Sequence, residues 1–241
     1  MAISCQLIHG LGNQLFQVAA TLSLAWQHGD SAVFNFSKHS QPSQGNKAVK
    51  YRRTLYKNLQ EGSLAVNYYH QPDDYIYRPI PYSKSLTLSG LFQSEQYFKD
   101  CRDRLLQTFD VNIQPIDKVA IHVRRGDFAN YATHYILPFS YYGDAIDRFS
   151  PTTEFLIFSD DIEWCKNMFL GNRFYFSSGL NDEDDLLLMA SCKHQIIANS
   201  SLSWWASYFN PSPSKIVIAP SKWLARDVDT SDIYSEWMTV I

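Results

Sequence analysis

The chain has 241 residues, 45% hydrophobic and 19% charged, with 15 Phe, 15 Tyr and 6 Trp. That is too much apolar material for a disordered chain and enough to bury a sizeable core. The formal net charge of −3 leaves no overall basic field to recruit nucleic acid or an anionic membrane, so any phosphate site has to be local. Cys5, Cys101, Cys165 and Cys192 are scattered singly and the seven histidines follow no ligand spacing. Neither a disulfide framework nor a metal site is expected. There is no run of 18 apolar residues and no signal-peptide pattern, which predicts a soluble cytosolic protein.

In chain order, the apolar runs alternate with helical periodicity, which reads as an α/β fold with mainly parallel sheets. A strand is expected over residues 3–8, then a turn through Gly10 and Gly12, a helix over 13–28 and a strand over 32–36. Residues 37–81 are polar, Tyr-rich and broken by Pro42, Gly45, Pro72 and Pro79, so only loops and short strands are expected there. A strand over 86–91 precedes a helix over 95–109 that buries Phe98, Cys101, Leu105 and Phe109 at helical spacing. Residues 112–117, with Pro115, mark the expected junction between two lobes, 1–114 and 115–241. In the second lobe the expected strands are 119–123, 154–159, 173–176, 195–198 and 215–219. The helices between them fall near 140–149, 162–169, 183–192 and 202–209.

The unusual polar residues sit where strands end, the edge at which open parallel sheets bind their ligands. His122-Val123-Arg124-Arg125-Gly126-Asp127 closes a nearly all-apolar strand. Its two guanidiniums match the oxygens of a diphosphate, against the plainer reading of an internal bridge to Asp127. The Arg-Gly-Asp tripeptide abuts a core strand and is not read as an adhesion motif. Asn199-Ser200-Ser201-Leu202-Ser203-Trp204-Trp205 opens a helix at the same edge, where hydroxyls and free N–H groups suit a phosphate, or where Ser200 is an ordinary cap. Trp204 and Trp205 read as packing residues. Gly10-Leu11-Gly12-Asn13-Gln14-Leu15 starts like a dinucleotide fingerprint but has Leu15 at the third glycine position and no acidic residue after the second strand. A nicotinamide or flavin enzyme is therefore not expected. Whether those glycines approach a ligand or only make a tight turn stays open. Asp160 and Asp161 end another strand, placed to read a base or ribose or to cap a helix. Asp182-Glu183-Asp184 contains a D-x-D, but lies in the first turn of a helix where carboxylates suit the macrodipole. Asp185 is kept as a nucleotide contact.

Taken in order, Gly10 to Gln17, Gly90-Leu91-Phe92-Gln93-Ser94-Glu95-Gln96-Tyr97-Phe98, His122 to Asp127, Phe158 to Asp161, Leu188-Met189 and Asn199 to Trp205 resemble the alpha-1,2-fucosyltransferases of bacteria and animals, nearly end to end. The resemblance implies a GT-B architecture, two Rossmann-like βαβ lobes with a cleft between them, the N-terminal lobe on the acceptor side and the C-terminal lobe binding GDP-fucose. It implies inverting transfer of L-fucose to the 2-hydroxyl of a terminal galactose in a glycan, with no metal and no cofactor beyond the donor. By position in the matching blocks, Arg124 and Arg125 grip the diphosphate, with Arg125 the first choice, and Asp127 orients them. His122, Asp160, Asp161 and Asp185 lie around the guanosine and Ser200 and Ser201 around the phosphates, with Gly10, Gly12, Asn13 and Asn199 as further donor-binding candidates. The resemblance names no general base; His134, on the loop after the arginines, is a candidate against a plain surface histidine. The absence of an anchor fits a cytoplasmic enzyme, touching the inner membrane only at its surface. The alternatives are another nucleotide-sugar donor, a non-catalytic glycan-binding protein on this scaffold, and a metal-using GT-A enzyme working through Asp182 and Asp184.

Overall fold

Short, mostly buried strands rich in Ile, Val and Phe build two separate parallel sheets in the computed structural model, which describes residues 2–37, 47–126, 134–179 and 181–241. Each sheet belongs to its own compact unit, Met1–Val111 with Asp229–Ser235, and Asn112–Val228 with Glu236–Ile241.

In the first unit β1 (Ala2–Cys5) is followed by α1 (Leu11–Gln27) and β2 (Ser31–Phe34). The edge strand β3 (Asn67–His70) and then β4 (Leu86–Ser89) complete a sheet of order β2-β1-β4-β3, every pair parallel. Ile3, Cys5 and Leu88 are buried in its centre. α1 is buried along almost its whole length, so its polar residues Gln14, Gln17, Thr21 and Ser23 lie inside the unit. Such groups are tolerated only when hydrogen-bonded, and Thr21 returns its hydroxyl hydrogen to the Gln17 carbonyl at 2.7 Å. Residues 47–81 contain one 3-10 turn, Ala48–Tyr51, besides β3.

The single helix expected over 95–109 is instead two 3-10 turns, Glu95–Tyr97 and Lys99–Cys101, followed by α2 (Arg102–Phe109). The break falls at Phe98, whose backbone (φ −146°, ψ 17°) leaves the helical region while its ring is fully buried. Leu105 and Phe109 are buried as expected, whereas Cys101 is only half-buried. Asp110, at φ 46°, ends the helix in the left-handed conformation.

The second unit runs β5 (Ile116–Val123), α3 (Phe139–Ile146), β6 (Phe155–Ser159), α4 (Ile162–Met168), β7 (Phe174–Phe176), α5 (Asp182–Ser191), β8 (Cys192–Ile196), α6 (Ser201–Phe209), β9 (Val217–Ala219) and β10 (Thr239–Val240). Its sheet has the order β10-β9-β8-β5-β6-β7, again all parallel. Val119, Ile121 and Val123 of the central strand pack with Tyr141, Tyr142, Ala145, Phe155 and Ile157. The Tyr141 hydroxyl donates toward the carbonyls of Ile197 (2.7 Å) and Ile218 (3.1 Å), fastening α3 to two strand ends. β8 starts at Cys192, three residues before expectation, because α5 passes directly into extended backbone there. The two-residue β10 had no sequence signal.

The division falls between Val111 and Asn112. Residues 229–235, expected in the second lobe, instead pack with the first. Asp232 anchors them by accepting from the Tyr77 amide (2.7 Å) and the Gln96 side chain (2.6 Å).

Candidate functional site

The register of β5 and β6 builds the site in the second unit. Val123 pairs with Ser159, so the residues that leave the sheet together are Arg124 and Asp160, then Arg125 and Asp161. Arg124 Nε lies 3.2 Å from Asp160 Oδ2, and the Arg125 backbone N–H donates to Asp160 Oδ1 at 2.9 Å. A Cβ on Gly126 would stand 3.1 Å from Asp160 Oδ2, so glycine lets the turn close over that carboxylate. Burial alone would raise the Asp160 pKa; the Arg124 charge and the N–H groups of Arg125 and Gly126 outweigh it and hold the carboxyl below its usual range.

Arg125 is held differently. Its Nε is 3.5 Å from Asp161 Oδ2, and its guanidinium lies over the Trp164 ring, 3.9 Å from the centroid. Asp161 caps α4 by accepting from the Trp164 N–H at 3.3 Å. One short helix therefore supplies both the ring and the carboxylate that fix this side chain. His122 is buried beneath the pair. Burial first, and the Arg124 charge second, push its pKa down to about 4, so its imidazole is neutral near pH 7.

The other expected residues of this edge divide by what they touch. Asn199 spends both amide hydrogens on backbone carbonyls, of Tyr135 and of Trp223, each at 2.8 Å, so its side chain ties loops together. Ser200 caps α6 through the Leu202 N–H, and Ser201 is the half-exposed first residue of that helix. Trp204 and Trp205 are fully buried, edge to face at 5.3 Å, with Trp204 stacked on Tyr208 at 5.5 Å. They pack the unit, as their place in the sequence implied. Asp185 accepts from the Ser177 hydroxyl at 2.9 Å. Burial raises its pKa, aided by Asp184 and Asp182 and opposed by Ser177. Asp182, Glu183, Asp184 and Asp185 all lie in the first turn of α5, capped by Asn181. Asp127 lies outside the described residues. His134 forms an isolated antiparallel bridge with Leu224.

In the first unit Gly10, Gly12 and Asn13 sit at the carboxyl edge of β1. Gly10 is the extended N-cap of α1, and its carbonyl accepts from the Asn13 and Gln14 amides at 3.0 and 3.1 Å. Gly12 is buried in the helix. The residue in the left-handed region is His9, at φ 62°, rather than either glycine. Glutamines then join this turn to the one after β4. Gln17 accepts from the Ile8 amide (3.0 Å) and donates to the Gly90 carbonyl (3.1 Å), and Gln93 donates to Asn13 Oδ1. Gln71 accepts from both the Leu91 and Phe92 amides, at 2.9 and 2.8 Å. The two glycine-and-glutamine motifs, 80 residues apart at Asn13 and Gln93, are thus one hydrogen-bonded assembly.

Sequence reasoning missed the partners of the arginines, having offered only Asp127. The signal was present: two adjacent parallel strands, each ending in charged residues of opposite sign. It also missed the left-handed backbone at His9 and the tie that Gln71 makes to the Leu91 and Phe92 amides. Among the described residues no group of three His, Cys, Asp or Glu is placed to hold a metal, and no helix is long and apolar enough to cross a membrane.

Two Rossmann-like units, each with an all-parallel sheet, match the GT-B fold. E. coli heptosyltransferase WaaC, solved with ADP, superposes with a TM-score of 0.53 at 12% identity, covering 100% of this chain and 92% of that one. A profile of glycosyl transferase family 11 matches residues 2–240, and the chain belongs to that family. An alpha-1,2-colitosyltransferase from Escherichia coli is 33% identical over 170 residues, 59% of this chain and 58% of that protein. The mouse galactoside 2-alpha-L-fucosyltransferase Sec1 is 26% identical over 234 residues, 82% of this chain and 61% of that protein. The chain thus matches about three fifths of the length of these curated relatives.

Proposed function

We propose that this chain transfers L-fucose from GDP-β-L-fucose to the 2-hydroxyl of a terminal galactose in a glycan, with inversion and without a metal. The carrying observation is the strand-end pair of arginines in the second unit, each buttressed by its own carboxylate. As the bond between sugar and diphosphate breaks, negative charge develops on the departing diphosphate. Fixed cations there bind the transition state better than the ground state, which is how they accelerate the step. Arg125, clamped between Trp164 and Asp161, is the better preorganised of the two. Arg124 and the amides of the turn are set by Asp160, with Asp127 a further orienting group. Ser200 and Ser201 offer hydroxyls to the phosphates; His122 and Asp185 line the guanosine side. Asn199 contributes by holding its loop. The second unit in this reading is the donor lobe, and the first, with Gly10, Gly12 and Asn13, the acceptor lobe.

A second reading keeps the reaction and changes the donor to colitose, the 3-deoxy analogue of fucose. It is favoured by the 33% identity to a protein named for colitosyl transfer. The two donors differ by one hydroxyl. A site that hydrogen-bonds the 3-hydroxyl discriminates against the deoxy donor by about 10⁴-fold, whereas one that only encloses it discriminates by about 10²-fold or less. Competing GDP-fucose and GDP-colitose in one assay with a terminal galactoside tests this. The proposal expects a strong preference for fucose, and a preference for colitose would replace it with the second reading.

A further inference from the structure

The ring and the carboxylate beside Arg125 do not hold it in the same way. Its Nε is buried, and at 3.5 Å from Asp161 Oδ2 it makes no hydrogen bond. That carboxylate therefore supplies charge without a defined direction. Direction comes from Trp164, whose ring centroid lies 3.9 Å from the guanidinium carbon, close enough for the planar cation to rest on the ring face. The ring is itself backed. Trp164 meets Phe139 of α3 edge to face, with centroids 6.3 Å apart, and Phe139 meets the buried Phe169 at 5.2 Å. Trp164 and Phe139 both pack against the apolar cluster around the central strand β5. The support under Arg125 thus runs from the core of the second unit outward. Among the described residues, none accepts a hydrogen bond from the terminal nitrogens of Arg125, and the side chain is 27% exposed. The end of the fork that binds anions bidentately is left open.

We propose that Trp164 is a positioning residue for the transfer: its ring sets the plane of the Arg125 guanidinium, so that the two terminal nitrogens face the departing diphosphate. The inference rests on the functional reading above, in which Arg125 meets that group, and it lies wholly within the second unit. Arginine carries a long, flexible side chain. Holding it in place before the donor arrives removes rotamer freedom that a bidentate contact would otherwise have to freeze. A misplacement of about 1 Å at a reacting group costs about 10²-fold, so the support is felt in the rate. Trp164 itself touches neither substrate and acts only through Arg125.

A double-mutant cycle separates this role from packing alone. Trp164→Leu should lower kcat for fucosyl transfer by about 2- to 30-fold, the fold equivalent of one cation–π contact. Trp164→Phe, which keeps a ring beneath the guanidinium, should recover most of that loss. In the Arg125→Ala background the same Trp164→Leu change should alter kcat by less than about 2-fold, because the group it supports is gone. A packing role predicts an equal loss in both backgrounds, and such additive losses would overturn the proposal. So would an unchanged kcat in Trp164→Leu, or a Trp164→Phe variant no faster than Trp164→Leu. Wild-type protein assayed in parallel separates the two levels. If it neither binds GDP nor transfers fucose, the functional reading fails; if it transfers fucose while the losses add, only the task given to Trp164 fails.

Discussion

Arg125 and Asp161 make an ion pair at the surface of the second unit, with side chains 27% and 38% exposed. Such a pair contributes little to stability, roughly 0–1 kcal/mol. In the proposed function the same pair sets the guanidinium for the diphosphate. Arg125→Ala should lower transfer by about 10²- to 10³-fold, the usual cost of removing one transition-state donor, and lower the thermal midpoint only modestly, since the ion pair is worth little and the Trp164 contact about 0.5–2 kcal/mol. Parallel calorimetry and initial rates check both halves of that expectation. His122 predicts the opposite pattern. In the unfolded chain it takes up a proton below about pH 6.5, whereas in the native state burial keeps it neutral until about pH 4. Unfolding then consumes a proton within that window, so stability is fully present above it and falls as pH drops, by at most about 1.4 kcal/mol per pH unit. Denaturant titrations at several pH values should show that slope, and His122→Gln should flatten it.

At the scale of elements, the turns carry more information than the strands. Periodicity and strand composition located nearly every strand and helix of the second unit, because each is a self-contained apolar run between turn residues. The segment over 95–109 misled for the same reason: its apolar spacing fits a helix, but the buried Phe98 turns the backbone out of it. No local pattern reports that tertiary demand. The site was half legible in the same way. Arg124, Arg125, Asp160 and Asp161 were all visible as strand-end residues, but which carboxylate meets which guanidinium follows from the β5–β6 register, a long-range fact. The motif from Gly90 to Gln93 was recognisable only as a string; its use, locking the turn after β4 to α1, appeared with Gln17, Gln71 and Gln93. Gly90→Ala tests that lock. At φ +156° its added Cβ would lie 2.5 Å from Gln71 Cβ, driving Gln71 from the Leu91 and Phe92 amides at a cost of about 1–3 kcal/mol for each amide left unpaired. The expected result is a lower midpoint, and acceptor KM raised more than donor KM.

At the scale of the whole molecule, the two units present different chemistry at their strand ends. The second offers guanidiniums, hydroxyls and carboxylates suited to a nucleoside diphosphate. The first offers backbone amides and carbonyls tied together by glutamines. The proposed function assigns the donor to the second unit and the acceptor to the first. The most direct measurement is GDP release from GDP-fucose in EDTA, with and without a terminal β-galactoside such as lactose, with linkage analysis of the product. Release stimulated by the galactoside, with an alpha-1,2 linkage formed, is the predicted result. Absence of stimulated release and of fucosylated product, with GDP-fucose bound in the same sample, would contradict the assigned acceptor; failure to bind GDP-fucose at all would contradict the donor site built on Arg124 and Arg125.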